Sequence, residues 1–174
     1  MPLLRAVFLD RDGVLNRERP DFVKSPEELE ILPGIEGPLH EIQKLGFRIV
    51  IVTNQSVVGR GLTSHYEMSR IHEKLRLELA RSGCSIDGIY YCPHRPDEGC
   101  DCRKPAPGLI LKAARELGID VERSWMIGDK EMDLEAARRA GCRGIRVATN
   151  GEGLEDAVRQ IALEEDRSNT VGFS

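Results

Sequence analysis

The sequence predicts an α/β fold in which a parallel sheet is covered by helices on both faces. Four amphipathic segments of helix length end in glycine, at Gly46, Gly83, Gly118 and Gly141, and a short apolar run follows each of them. Glycine just past the last turn accepts the left-handed backbone that closes a helix. Buried β-branched runs that alternate with helices form a doubly wound, Rossmann-like sheet.

Five short apolar runs predict the strands of this sheet. The first lies close to the N-terminus, and each of the others follows one of the helix-ending glycines. Runs of this length, bounded by turn-forming residues, are typical of strands that are buried on both faces. The predicted strands are residues 6–9, 47–52, 86–91, 124–127 and 144–147.

The helices between the strands follow from side-chain spacing. Ser64 and Glu67 fit a capping box at the start of the longest predicted helix, about Ser64 to Arg81. Its apolar residues recur every three or four positions and therefore share one face; they are Met68, Ile71, Leu75 and Leu79. Shorter helices are predicted at residues 108–117 and 131–140.

Two segments carry weaker patterns. Residues 93–108 concentrate Pro and Gly, which predicts an irregular loop. The chain from about residue 151 is polar and weakly patterned, and it predicts a short helix from Leu154 to Leu163 followed by a frayed tail. The length of 174 residues fits one domain that spans residues 1–174.

Composition and charge narrow the class of protein. Hydrophobic residues make up 40% and charged residues 31% of the chain, which argues against disorder. The formal net charge is −4, whereas a protein that neutralises many nucleic-acid phosphates is usually basic. No apolar run approaches the roughly 18 residues that span a bilayer, and the N-terminus does not fit a signal peptide. We expect a cytoplasmic monomer without a nucleic-acid or membrane partner.

Polar clusters follow four of the predicted strands. They lie at residues 10–13, 53–56, 92–105 and 128–130. Ligands of open α/β sheets bind outside the carboxyl ends of the strands. The four clusters therefore predict one site at a single edge of the sheet.

The residue types in these clusters suit phosphoryl chemistry. Asp10, Asp12 and Asp129 beside Lys104 call for a hard divalent cation such as Mg²⁺. Thr53 and Lys104 offer donors to phosphate oxygens. One Asp carboxylate can attack phosphorus while a second acid nearby moves the proton. Asp10 and Asp12 suit these two roles, because the side chains of residues two apart in extended backbone point to the same side.

Each of these residues also has an ordinary structural explanation when it is taken alone. An Asp at a strand end is more often a turn former or a helix cap. Lys130 and Arg60 would be solvated surface charges, and Asp133 would cap or solvate the last of the well-patterned helices. Such explanations require four clusters to follow four strands by coincidence, so we favour a common site.

A second group of residues predicts a structural zinc site in the loop at about residues 92–102. Two pairs with a single residue between their members make a Cys₃His set for tetrahedral Zn²⁺: Cys92, His94, Cys100 and Cys102. The alternative of a disulfide is disfavoured, because one residue between two cysteines gives poor bridge geometry. Cys84 and Cys142 follow helix-ending glycines and are interpreted as small buried hydrophobic residues.

The motifs together resemble the four signature motifs of the haloacid dehalogenase-like phosphatases. The resemblance runs from about Phe8 to Val147 and rests on residues 10–16, Thr53-Asn54, Lys104, and Gly128-Asp129 with Asp133. It implies that Asp10 is the nucleophile and Asp12 the general acid and base. It also implies that Thr53 and Lys104 hold the phosphoryl group and that Asp129 completes an Mg²⁺ site with Asp10 and Asp12.

The zinc loop makes the resemblance more specific. Together with Gln55-Ser56, Gly59-Arg60-Gly61 and Lys130 it resembles the heptose-1,7-bisphosphate phosphatases, with the histidinol-phosphate phosphatases as close relatives. The chain departs from the heptose branch at residues 18–22, where a His-Gly-Tyr type stretch is expected. The resemblance implies hydrolysis of a small sugar bisphosphate at its 7-phosphate through an aspartyl-phosphate, with histidinol phosphate as the alternative substrate.

The resemblance also implies how substrate reaches the site. No stretch is long enough for a large cap domain, so small loops at residues 17–25 and 56–62 and the zinc loop should govern access. The predicted substrate-binding residues are Arg11, Asn16, Asn54, Gln55, Ser56, Arg60, Arg103 and Lys130.

Two non-enzymatic functions compete with this prediction. A phosphoacceptor signalling domain also has an α/β sheet and Mg²⁺, but its phosphorylated Asp follows strand three, where this chain carries cysteines. A zinc-stabilised interaction module would have no need of the complete set of catalytic residues.

Overall fold

A computed structural model describes residues 2–172 and contains one five-stranded parallel sheet. The strand order is β3-β2-β1-β4-β5. The strands are β1 (Ala6–Leu9), β2 (Arg48–Asn54), β3 (Gly88–Cys92), β4 (Trp125–Gly128) and β5 (Arg143–Arg146). All five predicted strands are confirmed, with their ends within two residues of the predicted positions.

Six α-helices connect or flank the strands. They are α1 (Glu36–Lys44), α2 (Ser56–Gly59), α3 (His65–Arg81), α4 (Gly108–Leu117), α5 (Glu131–Ala140) and α6 (Leu154–Val171). The bounds of α4 and α5 agree with the prediction. Helix α3 begins one residue after Ser64, whose Oγ accepts a hydrogen bond from the backbone N–H of Glu67. The four helix-ending glycines all have positive φ, as expected.

The sheet separates two hydrophobic cores, because successive side chains of a strand point to opposite faces. Val7 and Leu9 of β1 pack in the core that α1, α3 and α6 cover. Ala6 and Phe8 pack in the core that α4 and α5 cover. This arrangement is the predicted doubly wound fold.

Helix α6 corrects two predictions. With 18 residues it is one residue longer than α3, and it continues well past Leu163. Its first three turns bury a stripe with helical spacing in the same core as α1: Leu154, Ala157, Val158 and Ile161. Once these turns are packed, each further residue adds one hydrogen bond without the entropic cost of nucleating a new helix. Glu165 in the later turns also forms an ion pair with Arg5.

The carboxyl edge of the sheet carries loops and no separate domain within the described residues. The longest connection there, residues 10–35, contains only one short 3₁₀ turn, Pro26–Glu28. The structure therefore agrees with the prediction that no large cap covers the site. None of the described helices combines the length and the apolar character that a membrane span requires.

Candidate active site

The four polar clusters lie at one edge of the sheet because all of its strands are parallel. From β1 the chain proceeds through β2 to β3 at one side of the sheet and then returns to β4 on the other side of β1. The strand order therefore reverses between β1 and β4. Asp10 follows β1 and Asp129 follows β4 at this switch point, where open α/β sheets bind ligands. A pocket of about 620 Å³ opens there, with Asp10, Asp12 and Lys104 among the residues that line it.

A buried ion-pair cluster forms the floor of the pocket. Lys104 Nζ lies 3.0 Å from Asp10 Oδ1 and 2.7 Å from Asp133 Oδ1. The same nitrogen donates hydrogen bonds to Asp10 Oδ1 and, over 2.8 Å, to the Val52 carbonyl, whereas Asp133 Oδ1 pairs with it by charge only. Asp133 also caps α5, since its Oδ2 accepts from the backbone N–H of Lys130. Asp133 therefore has the predicted capping function and belongs to the site as well.

The cluster contains more negative than positive charge. Burial raises the pKa of Asp10 well above its ordinary value; Lys104 opposes this shift, and Asp133 and Asp12 add to it. The pKa of Lys104 is raised because the two carboxylates outweigh the effect of its burial. A further cation would be needed to keep Asp10 fully ionised at neutral pH.

The acidic residues fit a divalent cation. Carboxylate oxygens of Asp10, Asp129 and Asp133 all lie within 4.8 Å of one another. Asp129 Oδ2 accepts from Thr149 Oγ1, whereas its buried Oδ1 has no hydrogen-bond partner among residues 2–172. A buried carboxylate oxygen without a donor suits a hard cation with oxygen ligands. The structure thus places Asp133 in the group in which the sequence predicted Asp12.

Asp12 is held apart from this group by three donors. Its Oδ1 accepts from Arg11 Nη2 over 2.9 Å and from Asn16 Nδ2 over 2.8 Å. Its Oδ2 accepts from Gln55 Nε2 over 2.7 Å. Burial would raise the pKa of Asp12, but the Arg11 guanidinium and these hydrogen bonds hold it below its ordinary value. Asp12 is therefore a fixed carboxylate that borders the pocket.

Three residues predicted to contact substrate surround Asp12. The side chains of Arg11, Asn16 and Gln55 are buried, and each donates to the Asp12 carboxylate. These contacts direct the three side chains toward Asp12, and that they bind substrate stays a prediction. Arg11 lies between Asp10 and Asp12, and alternation along extended backbone turns it away from the side that its neighbours share.

The remaining predicted substrate-binding residues divide into two groups. Arg103, Lys130 and Asn54 line the pocket. Ser56 accepts a hydrogen bond from the Nε of exposed Arg60, and neither residue is part of the pocket wall.

Asn54 also holds the backbone of Lys104. Its Oδ1 accepts from the backbone N–H of Lys104 over 3.0 Å, and its Nδ2 donates to the Lys104 carbonyl over 3.1 Å. The amide thereby pairs with the Lys104 backbone as a neighbouring strand would. Thr53 lies buried next to Asn54 at the end of β2, and its Oγ1 accepts from Gln55.

The pocket wall includes residues that sequence reasoning missed. Glu18 contributes a carboxylate that pairs with Lys130 over 3.0 Å. Phe22, at a positive φ of 65°, lines the pocket, and the Arg60 guanidinium lies 5.6 Å from the centre of its ring. Asn150, also at positive φ, accepts from the backbone N–H of Glu18. Residues 18–22, where the sequence departs from the heptose branch, form part of this wall. No local sequence pattern indicated that Asn150 also belongs to it.

Two glycines allow the close packing of the acidic residues. Gly13 has a φ of 86°, and a Cβ there would overlap Asp129 Oδ2. A Cβ on Gly128 would overlap the side chain of Asp133. Any side chain at either position would displace a carboxylate of the group.

The predicted zinc ligands also come together. His94 Nδ1 lies 3.3 Å from Cys92 Sγ and 3.2 Å from Cys102 Sγ. Cys92 Sγ lies 3.1 Å from Cys102 Sγ and 3.6 Å from Cys100 Sγ. These separations exceed a disulfide bond of about 2.05 Å and approach the roughly 3.3–3.8 Å edges of a zinc tetrahedron. The four side chains fit Zn²⁺, while Cys84 and Cys142 are buried free thiols, as predicted.

Two curated proteins similar to this chain carry the same name. The D-glycero-β-D-manno-heptose-1,7-bisphosphate 7-phosphatase of Photorhabdus laumondii is 43% identical over 90% of this chain and 87% of its own length. That of Pseudomonas putida is 38% identical over 92% of this chain and 93% of its own. The chain belongs to the heptose-1,7-bisphosphate 7-phosphatase family. This confirms the branch that the motifs predicted.

The fold of this phosphatase agrees with its family. The crystal structure of the heptose-1,7-bisphosphate phosphatase of B. bronchiseptica, complexed with magnesium and phosphate, is 36% identical with a TM-score of 0.84. The match covers 92% of this chain and 99% of that one. The HAD-hydrolase-like family model matches residues 101–170, which include Lys104, Asp129 and Asp133.

Proposed function

We propose that this phosphatase removes the 7-phosphate of D-glycero-D-manno-heptose-1,7-bisphosphate through an aspartyl-phosphate on Asp10. The observation that carries the proposal is the buried cluster of Asp10, Lys104 and Asp133 at the floor of an open pocket. It combines a nucleophile, a phosphoryl-binding ammonium and part of a cation site. The sugar is inferred from the names of the relatives, and we take the β anomer from them.

The reaction has two halves that share the same carboxylates. In the first, an oxygen of Asp10 bonds to phosphorus, the bond from phosphorus to the C7 oxygen breaks, and Asp12 gives that oxygen a proton. In the second, Asp12 takes a proton from water, and the water oxygen bonds to phosphorus. The bond from phosphorus to Asp10 then breaks, which releases inorganic phosphate and restores the Asp10 carboxylate.

The other residues at the sheet edge hold the reacting group. Lys104 and Thr53 bind phosphoryl oxygens; the Thr53 hydroxyl can donate because its oxygen already accepts from Gln55. Asp10, Asp129 and Asp133 would hold Mg²⁺, which when bound neutralises negative charge on the phosphoryl oxygens. Negative charge on the bound phosphate would also raise the pKa of Asp12, so that Asp12 is protonated and can donate its proton to the leaving oxygen.

The substrate assignment is tested by phosphate release from a panel of compounds in the presence of Mg²⁺. The panel contains the heptose bisphosphate, a sugar 7-monophosphate and histidinol phosphate. We expect the bisphosphate to have the highest kcat/KM, since Arg103 lines the pocket and offers a cation to a second phosphate group. A clear preference for histidinol phosphate would transfer the assignment to the alternative.

Arg103 is expected to bind the distal phosphate. We predict that Arg103→Ala lowers kcat/KM for the bisphosphate about ten- to a hundredfold, because a charged hydrogen bond contributes roughly 1.5–3 kcal/mol. The loss for a monophosphate should be much smaller. Arg159→Ala, which removes an exposed arginine of α6, is the control. Equal losses on both substrates would contradict a distal contact at Arg103.

We also propose that the Cys₃His group binds structural Zn²⁺ and that the two metals differ in lability. EDTA should stop turnover and added Mg²⁺ should restore it, because a site with few protein ligands exchanges readily. Zinc should survive this treatment and copurify at about one per chain. Cys102→Ser should lose zinc, whereas Cys84→Ala should retain it. Metal analysis without zinc in chelator-free protein would contradict the site.

The setting of the reaction is proposed from the sequence. A formal net charge of −4 and a pocket sized for a small molecule fit a monomer that acts on a sugar phosphate in the cytoplasm. Light scattering coupled to size exclusion would test the monomer.

A further inference from the structure

Behind the pocket, a buried line of contacts connects Asp12 to helix α3. Arg11 Nη2 donates to Asp12 Oδ1 over 2.9 Å, and Arg11 Nη1 lies 3.1 Å from His72 Nε2. Arg11 is fully buried, and His72 is buried within the sequence of α3. The two contacts join a carboxylate that borders the pocket to a helix that does not line it.

The contact with Arg11 defines the protonation of His72. A guanidinium can only donate, so His72 Nε2 must be the acceptor and the imidazole carries its hydrogen on Nδ1. Burial together with the charge of Arg11 lowers the pKa of His72 to about 3, and Arg76 acts in the same direction, against Asp12. The Tyr91 and His72 rings pack in a T-shaped arrangement with 5.5 Å between their centres. His72 is therefore a neutral acceptor in a closed environment.

His72 supplies Arg11 Nη1 with a strong acceptor that this nitrogen otherwise lacks. Within the described residues, Nη1 contacts His72 and the weakly accepting Met68 Sδ at 3.5 Å, and Nε has no partner. A buried guanidinium with still fewer acceptors would move to find one. Because Nη2 belongs to the same rigid plane, such a movement would also displace the donor to Asp12.

We propose that His72 is a positioning residue for Asp12, on which it acts through the guanidinium of Arg11. The inference rests on the proposed function in one respect, namely that Asp12 is the acid and base. His72 touches neither substrate nor cation. It fixes the orientation of Asp12 toward the leaving oxygen and toward the attacking water.

The test compares substitutions that keep or remove the acceptor. His72→Gln places an amide oxygen near the position of Nε2, whereas His72→Asn is too short to reach Arg11 and His72→Leu has no acceptor. We expect His72→Leu and His72→Asn to lower kcat about ten- to a hundredfold with little change in KM, since misplacement by about 1 Å can cost a hundredfold. His72→Gln should restore most of the activity.

The same variants should accumulate the intermediate. Asp12 activates the water of the second half-reaction, so poor placement should leave Asp10 phosphorylated, with a mass increase of about 80 Da after mixing with substrate. A purely structural defect would lower the melting temperature without this accumulation. The control is His65→Leu, which removes another histidine of α3 that contacts Tyr91. It should neither lower kcat nor accumulate phosphorylated Asp10.

The outcomes separate the inference from the proposed function. Wild type and Asp12→Asn are measured in parallel. If wild type is active, Asp12→Asn is not, and His72→Gln and His72→Asn have equal kcat values, the positioning role is overturned while the proposed function stands. If wild type releases no phosphate from the panel, the proposed function itself fails. If His72→Leu does not fold, the kcat values of His72→Gln and His72→Asn still decide whether His72 positions Asp12.

Discussion

Asp10→Asn is expected to abolish turnover while leaving the fold intact. The amide is nearly the same size as the carboxylate but is a poor nucleophile, and it removes one charge from the group that fits Mg²⁺. We expect kcat to fall by at least about a thousandfold, as for other residues that bond to the reacting atom. Steady-state kinetics measures the loss, and circular dichroism checks the fold.

The control for Asp10→Asn is the same substitution at an exposed position. Asp156 lies on the surface of α6, where it pairs with Arg159, and Asp156→Asn should retain wild-type kcat. If Asp10→Asn kept more than a few per cent of the wild-type activity, Asp10 would not be the nucleophile.

Lys104→Met is expected to have the largest effect on stability. The buried ammonium contacts Asp10 and Asp133, and its removal leaves both carboxylates without their cation. Breaking a buried ion pair on one side costs about 3–5 kcal/mol. Activity should also be lost, because a ligand of the phosphoryl group is removed. Urea unfolding compared with Lys44→Met, at an exposed position on α1, measures the difference.

The deficit of Lys104→Met should depend on pH. Burial already raises the pKa of Asp10, and removal of the opposing charge of Lys104 raises it further. A carboxyl with a raised pKa in the folded state contributes stability below its unfolded pKa and loses it as pH rises through the folded value. The loss in unfolding free energy should therefore be larger at pH 8 than at pH 5. Equal losses at the two pH values would exclude Asp10 as the source.

The positions of strands, helices and polar clusters could be predicted because their signals are local. Glycine after an amphipathic segment and a β-branched run identify a helix end and a strand whatever the rest of the chain does. In a parallel sheet, the residues after each strand then meet at one edge. This is why the sequence predicted Asp10, Lys104, Asp129 and the Cys₃His loop as parts of two compact groups.

The features that the sequence did not reveal are contacts between distant segments. Arg11 is a cation beside two aspartates, and its sequence position gives no sign that His72, 61 positions away, accepts a hydrogen bond from its Nη1. Asp133 is a helix cap by local pattern, yet Lys104 of another loop makes it part of an ion-pair cluster. The length of α6 depends on packing in a core with α1, which no pattern near residue 163 reveals.

Gly13 and Gly128 have a consequence for how this chain tolerates sequence change. Neither contributes a functional group, but even the methyl group of alanine would occupy space that Asp129 or Asp133 fills. Random substitution should therefore be as damaging at these two positions as at the carboxylates themselves. A survey that ranks positions by the chemistry of their side chains would overlook both, although the spacing of the acidic oxygens depends on the absence of a side chain there.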